Sequence, residues 1–244
     1  MMAWMSRNRI FIGVAALAVL GGLVLFAVDA TIFAPVVLPT PTSTSTPGQG
    51  APTAAATDSP TQDPSIRVFH IDASQSEVRY EVGETFFDQN NRFNLAVGRT
   101  QAVSGDIFVH LDRPAASRLG EIVIDVSQFT SDETRRDNFI RRNGLQSALF
   151  PLAHFVPTAI GGLPEELAAG EQVSFTVSGD LTVKDVTLPV TWSVTARQDA
   201  DQITVSAGTQ ILMSDFRVGP IRISFLATED AVRLVFDFVA VAGG

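Results

Sequence analysis

From Ile66 onward the sequence alternates apolar and polar residues with period two, again and again, and nothing else in the chain constrains the fold as much. A strand sends successive side chains to opposite faces, so this alternation marks strands with one buried face. The pattern is met at 77–82, 103–109, 122–126, 173–183, 190–194, 203–211, 221–225 and 232–239. That predicts about eight strands, most of them separated by turn-forming residues. Gly161-Gly162, Asp199 to Asp201 and Val218-Gly219-Pro220 are examples. Antiparallel strands in this number form a closed barrel or a two-sheet sandwich, and pattern alone leaves both open.

One stretch breaks the pattern. Thr130-Ser131-Asp132-Glu133 reads as a capping box, with Thr130 as N-cap. Asp132 and Arg136, then Asp137 and Arg141, stand at i,i+4 with acid before base, and Gly144 supplies a stop. The spacing predicts one short helix over 131–142, carrying Phe139 and Ile140 towards the strands.

Upstream, Ile10 to Val28 carries no charge, is preceded by Arg7 and Arg9, and approaches the length that spans a bilayer. It is longer than the apolar core of most signal peptides, which favours an uncleaved transmembrane helix over a cleaved leader. The positive-inside rule then leaves residues 1–9 in the cytoplasm and everything downstream outside; cleavage would export the rest equally. Residues 38–65 are rich in Pro, Thr, Ser and Ala and read as an extended disordered linker, followed by a domain at 66–242.

Composition excludes several functions. The net charge is −9 with no basic stripe, so nucleic acid is not an expected partner. The chain has no Cys, which removes disulfides, thiolate metal sites and cysteine nucleophiles. It has 17 Phe and 1 Tyr, a balance suited to an interior with few polar demands.

The alternating segments also carry an ordered series of words. Ile71-Asp72 with Ser74, Ser76 and Val78 is followed by Val103-Ser104-Gly105-Asp106-Ile107. Then come Ile124-Asp125-Val126-Ser127, Arg135-Arg136-Asp137, Ile140-Arg141 and Phe150-Pro151. Val177-Ser178-Gly179-Asp180-Leu181-Thr182-Val183 runs on to Val186-Thr187-Leu188-Pro189-Val190, and Met213-Ser214-Asp215-Phe216 closes the series. In this order and spacing the domain resembles the YceI-like family of lipid- or polyisoprenoid-binding proteins. The resemblance implies an all-β, antiparallel, eight-stranded lipocalin-like barrel around an elongated apolar tunnel, with one short helix. It also implies an isoprenoid lipid or quinone as ligand, in the periplasm or otherwise outside the cytoplasm, and no cofactor beyond it. The chain departs from the family pattern at Gly83-Glu84-Thr85, Leu188, Arg217 and Gly144-Leu145-Gln146.

Val78, Tyr80, Val82, Ile107, Val109, Phe175, Val177, Trp192, Val194, Ile211 and Phe225 share the inward phase of their strands. Phe129, Phe139, Ile140, Leu145, Phe150 and Phe155 come from the helix and its flanks. Pattern alone reads both sets as ordinary core; the resemblance makes them candidate ligand-binding residues. Arg135, Arg141 and Arg142 read as a solvated helix face, or as a tunnel rim for a polar head group or an anionic membrane surface; Arg136 reads as structural. His70, His110 and His154 are too far apart in sequence for a zinc motif, and no Gly-x-Ser-x-Gly elbow is present. Asp72, Asp125, Asp180 and Asp215 read as backbone caps. The expected function is non-enzymatic binding or carriage of a long apolar molecule. The rivals are a stalked adhesive domain with a filled core and, further off, a hydrolase built on His154 or His110. Oligomeric state is left open.

Overall fold

The computed structural model describes residues 63–168 and 170–243. The expected transmembrane helix and almost all of the linker lie outside the described residues. No helix among the described residues is long and apolar enough to cross a membrane.

The chain folds as β1 (Ile66–Ile71), β2 (Glu77–Phe86), β3 (Arg92–Thr100), β4 (Val103–Ser104), β5 (Asp106–His110), β6 (Arg118–Leu119) and β7 (Ile122–Asp125). There follow α1 (Thr134–Phe139), β8 (Leu152–Gly161), β9 (Gln172–Val183), β10 (Val186–Asp199), β11 (Gln202–Leu212), β12 (Arg222–Ile223) and β13 (Leu226–Ala242). All strands join one antiparallel sheet, whose order is β4-β7-β8-β9-β10-β11-β13-β1-β5-β6. The sheet curls into a half-barrel. β13 pairs with β11 along one edge, and with β2 and then β1 along the other. A single bent run from Arg92 to His110 supplies β3, β4 and β5. β4 pairs with β7 on one flank of the sheet and β5 with β1 on the other.

Thirteen strands form where about eight were expected. Three are two-residue pieces, and β3 and β8 have physical reasons for weak patterns. β3 is inverted: Phe93 is 60% exposed, while Ala96 and Gly98 face inward and are buried. The inner side must stay small because the Tyr80 ring lies there; a Cβ on Gly98 would stand 2.1 Å from it. β8 contains Pro157, which cannot donate to a ladder, and the register slips between Pro157 and Ala159. The expected strand at 221–225 shrinks to β12, leaving Phe225 outside it.

The helix is shorter than predicted. α1 spans Thr134–Phe139 and passes into a π-helical turn at Ile140–Gly144. Its N-cap is Glu133, whose carboxylate accepts from the Arg135 N–H at 3.0 Å. Thr130 is instead bridged to Arg99, with each backbone N–H donating to the other's carbonyl. Asp132 and Arg136 do pair, at 2.5 Å. Asp137 and Arg141 do not: Asp137 accepts from Ser131, and Arg141 donates to the Phe129 carbonyl at 2.8 Å. Asp72 and Asp125 cap short 3-10 turns by accepting from Ser74 and Ser127 N–H, each at 2.9 Å. Among the described residues Asp180 and Asp215 make no such bond.

Candidate functional site

Residues facing the inside of the curled sheet fall into three tiers along the strands. Ile203, Val205 and Ala207 on β11, Phe236 and Phe238 on β13, and Val173, Phe175 and Val177 on β9 line a first chamber of about 350 Å³. Ile211, Val232 and Val183, on the same three strands, line a second chamber of about 530 Å³ towards the opposite end. No described residue lines both. Between them Val78, Ile124, Ala153 and Leu181 are buried and line neither; Val190 and Leu234 pack against the same cluster. Same-face residues on a strand are ~6.8 Å apart, so the packed layer is one or two side chains thick.

An aromatic group forms the floor of the first chamber. Trp192 is 2% exposed, its ring centroid 4.4 Å from Phe236 and 5.8 Å from Phe155. Phe155 in turn lies over Gly179, where a Cβ would stand 2.7 Å from its ring. The Trp192 Nε1–H is buried without an acceptor. Leaving such a donor unpaired costs ~1–3 kcal/mol, so the indole is present for its bulk and not for a protein hydrogen bond.

The second chamber is walled differently. Strands close one side, and α1 with its π turn closes the other through Phe139 and Ile140. One polar device ties this helical wall to β2. The Arg136 guanidinium donates from Nε and Nη2 to the two carboxylate oxygens of Glu84, both at 2.9 Å. The side chains are 12% and 4% exposed, and Asn94 donates a further bond to Glu84. Burial by itself would lower the Arg136 pKa; the bonds to Glu84 and Asp132 more than offset it and leave it raised. Asp132 is lowered in return, chiefly by its bond from Arg136. On the chamber wall, burial pushes the Tyr80 hydroxyl up to about 12, with the nearby Asp137 charge adding to the effect. Its ring packs edge-on against Phe129 at 5.3 Å.

The family model for the YceI-like domain matches residues 69–240, which is most of the chain. The chain belongs to the YceI-like family. Among solved structures, the YceI-like domain is similar to BcnA of Burkholderia cenocepacia. The two are 24% identical, with a TM-score of 0.56, over 70% of this chain and 99% of that one. It is also similar to a polyisoprenoid binding domain from Saccharophagus degradans implicated in plant cell wall breakdown. That pair is 16% identical, with a TM-score of 0.54, over 72% and 98% of the chains. At these identities the likeness concerns the fold. No curated protein matches the sequence.

The YceI-like domain divides the candidate residues between its chambers. Ile107, Val109, Phe155, Phe175, Val177, Trp192 and Val194 line the first. Tyr80, Val82, Phe129, Phe139, Ile140, Leu145, Ile211 and Phe225 line the second. Val78 belongs to the packed layer, and Phe150 lines neither chamber. Phe225 is 45% exposed at the mouth, not inward on a strand. Of the arginines, Arg135 lines the second chamber; Arg141 is spent on the Phe129 carbonyl, and Arg142 is exposed and lines neither chamber. The elongated tunnel that the resemblance implied is therefore divided in two. Glu84 is the residue that sequence reasoning missed. The signal was present: it follows Val78, Tyr80 and Val82 in the inward phase of β2, and an acid there needs a buried cation.

The histidines do not converge. His70 Nδ1 lies 2.7 Å from Asp106, and His154 Nδ1 lies 2.7 Å from Glu121, both pairs exposed. Among the described residues no serine or threonine hydroxyl bonds the His154 ring. His110 is buried at the edge of the first chamber and is bonded by Arg113. Among the described residues no cluster of three or more His, Asp or Glu could hold a metal ion.

Proposed function

We propose that the protein binds and carries a long apolar molecule, a polyisoprenoid or the isoprenoid tail of a quinone, on the outer side of a bacterial membrane. The observation that carries this reading is the pair of apolar chambers inside the sheet. Each falls in the ~300–1,000 Å³ range typical of small-molecule sites. Filling the space with hydrocarbon recovers on the order of 0.8 kcal/mol per buried methylene and needs no directional partner. An adhesive domain has no use for such space. The solved domain from Saccharophagus degradans, described as polyisoprenoid binding, supports the choice of ligand class. The apolar segment at 10–28 and the linker at 38–65 support an anchored, exported placement.

Native mass spectrometry of the full chain, released from membranes in mild detergent, tests the reading. A lipid adduct identified after extraction as a polyprenyl compound is the expected result. Protein that is empty, and that takes up neither polyprenol nor ubiquinone when offered them, overturns it.

A further inference from the structure

An isoprenoid lipid usually ends in an oxygen, and the second chamber carries a group able to read it. Tyr80 lines the chamber wall, half-buried, with its ring over Gly98 and edge-on to Phe129. A buried phenol normally finds a partner for its hydroxyl. This one has none among the described residues. It is not sealed away either: the one fully enclosed side-chain polar atom without a partner among those residues is the Trp192 Nε1. The acids around Tyr80 are turned to other donors. Glu84 accepts from Arg136 and Asn94, Asp132 accepts from Arg136, and Asp137 accepts from Ser131. Burial pushes the phenol up to about 12, so it keeps its proton and can donate at neutral pH.

Charge decides which kind of oxygen fits. Four charged side chains line the chamber, Glu84 and Glu133 against Arg135 and Arg136, and they cancel. Asp132 sits on Arg136, and Asp137 is near enough to act on the Tyr80 hydroxyl, so the balance beside that hydroxyl is negative. Further out, the exposed Asp88 and Glu229 offset the exposed Arg92 and Arg222. A phosphate or carboxylate would find no surplus of positive charge here, and stripping it of water without a counter-ion is costly. An uncharged oxygen escapes that penalty and still satisfies the hydroxyl.

We propose that the second chamber selects its guest by an uncharged oxygen at the end of an isoprenoid, a ring carbonyl or an alcohol, which accepts a hydrogen bond from Tyr80, and that it discriminates against the matching phosphate. The inference rests on the ligand reading above and makes Tyr80 a specificity-determining residue. The apolar wall supplies the bulk of the affinity; Tyr80 supplies the choice.

The test compares the full chain with its Tyr80→Phe variant, both in mild detergent. Affinities are measured for squalene, a polyprenol, the phosphate of that polyprenol, and ubiquinone. One neutral hydrogen bond corresponds to a factor of roughly 3–10 in affinity. Tyr80→Phe is expected to lose that factor for ubiquinone or for the alcohol, and to leave squalene unchanged. A loss confined to one of the two identifies the oxygen that is read. In the unaltered chain the alcohol is expected to bind at least tenfold more tightly than its phosphate. An equal loss for squalene, no loss for either oxygenated ligand, or a phosphate that binds as well as the alcohol overturns the proposal. Squalene also reports on folding, since a variant that fails to fold takes up none of the four. If the unaltered chain takes up none, the ligand reading falls and this inference with it. Uptake by both chains with no effect of Tyr80→Phe sinks this inference alone.

Discussion

The two chambers are built from different materials. Around the first, paired strands close most of the wall, and their backbone groups are joined in ladders that run the length of β9, β10 and β11. Around the second, a short helix and its π turn form one side, held to the sheet by the bidentate contact of Arg136 with Glu84. Laddered strands open only by global unfolding, whereas a segment with few cross-links opens locally at much lower cost. The contrast places the easier local opening at the second chamber, in the part of its wall that is not sheet.

The largest change is expected where the packed layer meets the first chamber. Trp192→Ala removes the floor and should cost about 3–5 kcal/mol in urea unfolding. Trp192→Phe should cost under ~1.5 kcal/mol, because the indole N–H it loses has no acceptor. Equal costs for the two would mean that the indole donor is paired after all. Next, Glu84→Gln leaves the largely buried Arg136 charge with only the exposed Asp132 as its ion-pair partner, an expected loss of ~3 kcal/mol. Hydrogen exchange should then quicken across 131–145 and stay slow in β9 to β11; uniform acceleration would erase the distinction between the two walls.

The smallest change is a matter of pH. Tyr80 is the single tyrosine of the chain, so tyrosinate absorbance reports the second chamber alone. Its midpoint should lie near 12 in the folded protein, against 10 for a free phenol. Because the folded pKa is the higher, the stabilisation is whole below pH 10 and is lost as pH rises from 10 to 12. At one pKa unit per 1.36 kcal/mol it amounts to about 2–3 kcal/mol at most. Tyr80→Phe should remove that part of the alkaline slope, seen by following stability from pH 9 to 12. A midpoint of 10 would place the hydroxyl in water, outside the wall.

Periodicity exposed most of the long strands because their buried faces are large and apolar, as in β9, β11 and β13. It failed on β3, where the inner positions are Ala96 and Gly98 and the large residues point outward. Room inside was made by subtracting side chains, and subtraction leaves no apolar signal. It failed on β8 because Pro157 belongs to a bulge that only the paired register reveals. The division of the interior was hidden for another reason. Val78, in the packed layer, and Tyr80, on a chamber wall, are adjacent inward positions of one strand, and sequence phase cannot tell a filled tier from an open one. The helix was found by its charges and misplaced by its cap, since Thr130 was taken up by a bridge to Arg99.

The bent run from Arg92 to His110 works as a hoop. Since it is hydrogen-bonded to β7 on one flank and to β1 on the other, the flanks cannot part sideways without breaking it free of one of them. For the ligand proposed above this leaves the ends and the helical wall as routes, and its thickness should govern how fast it passes far more than its length.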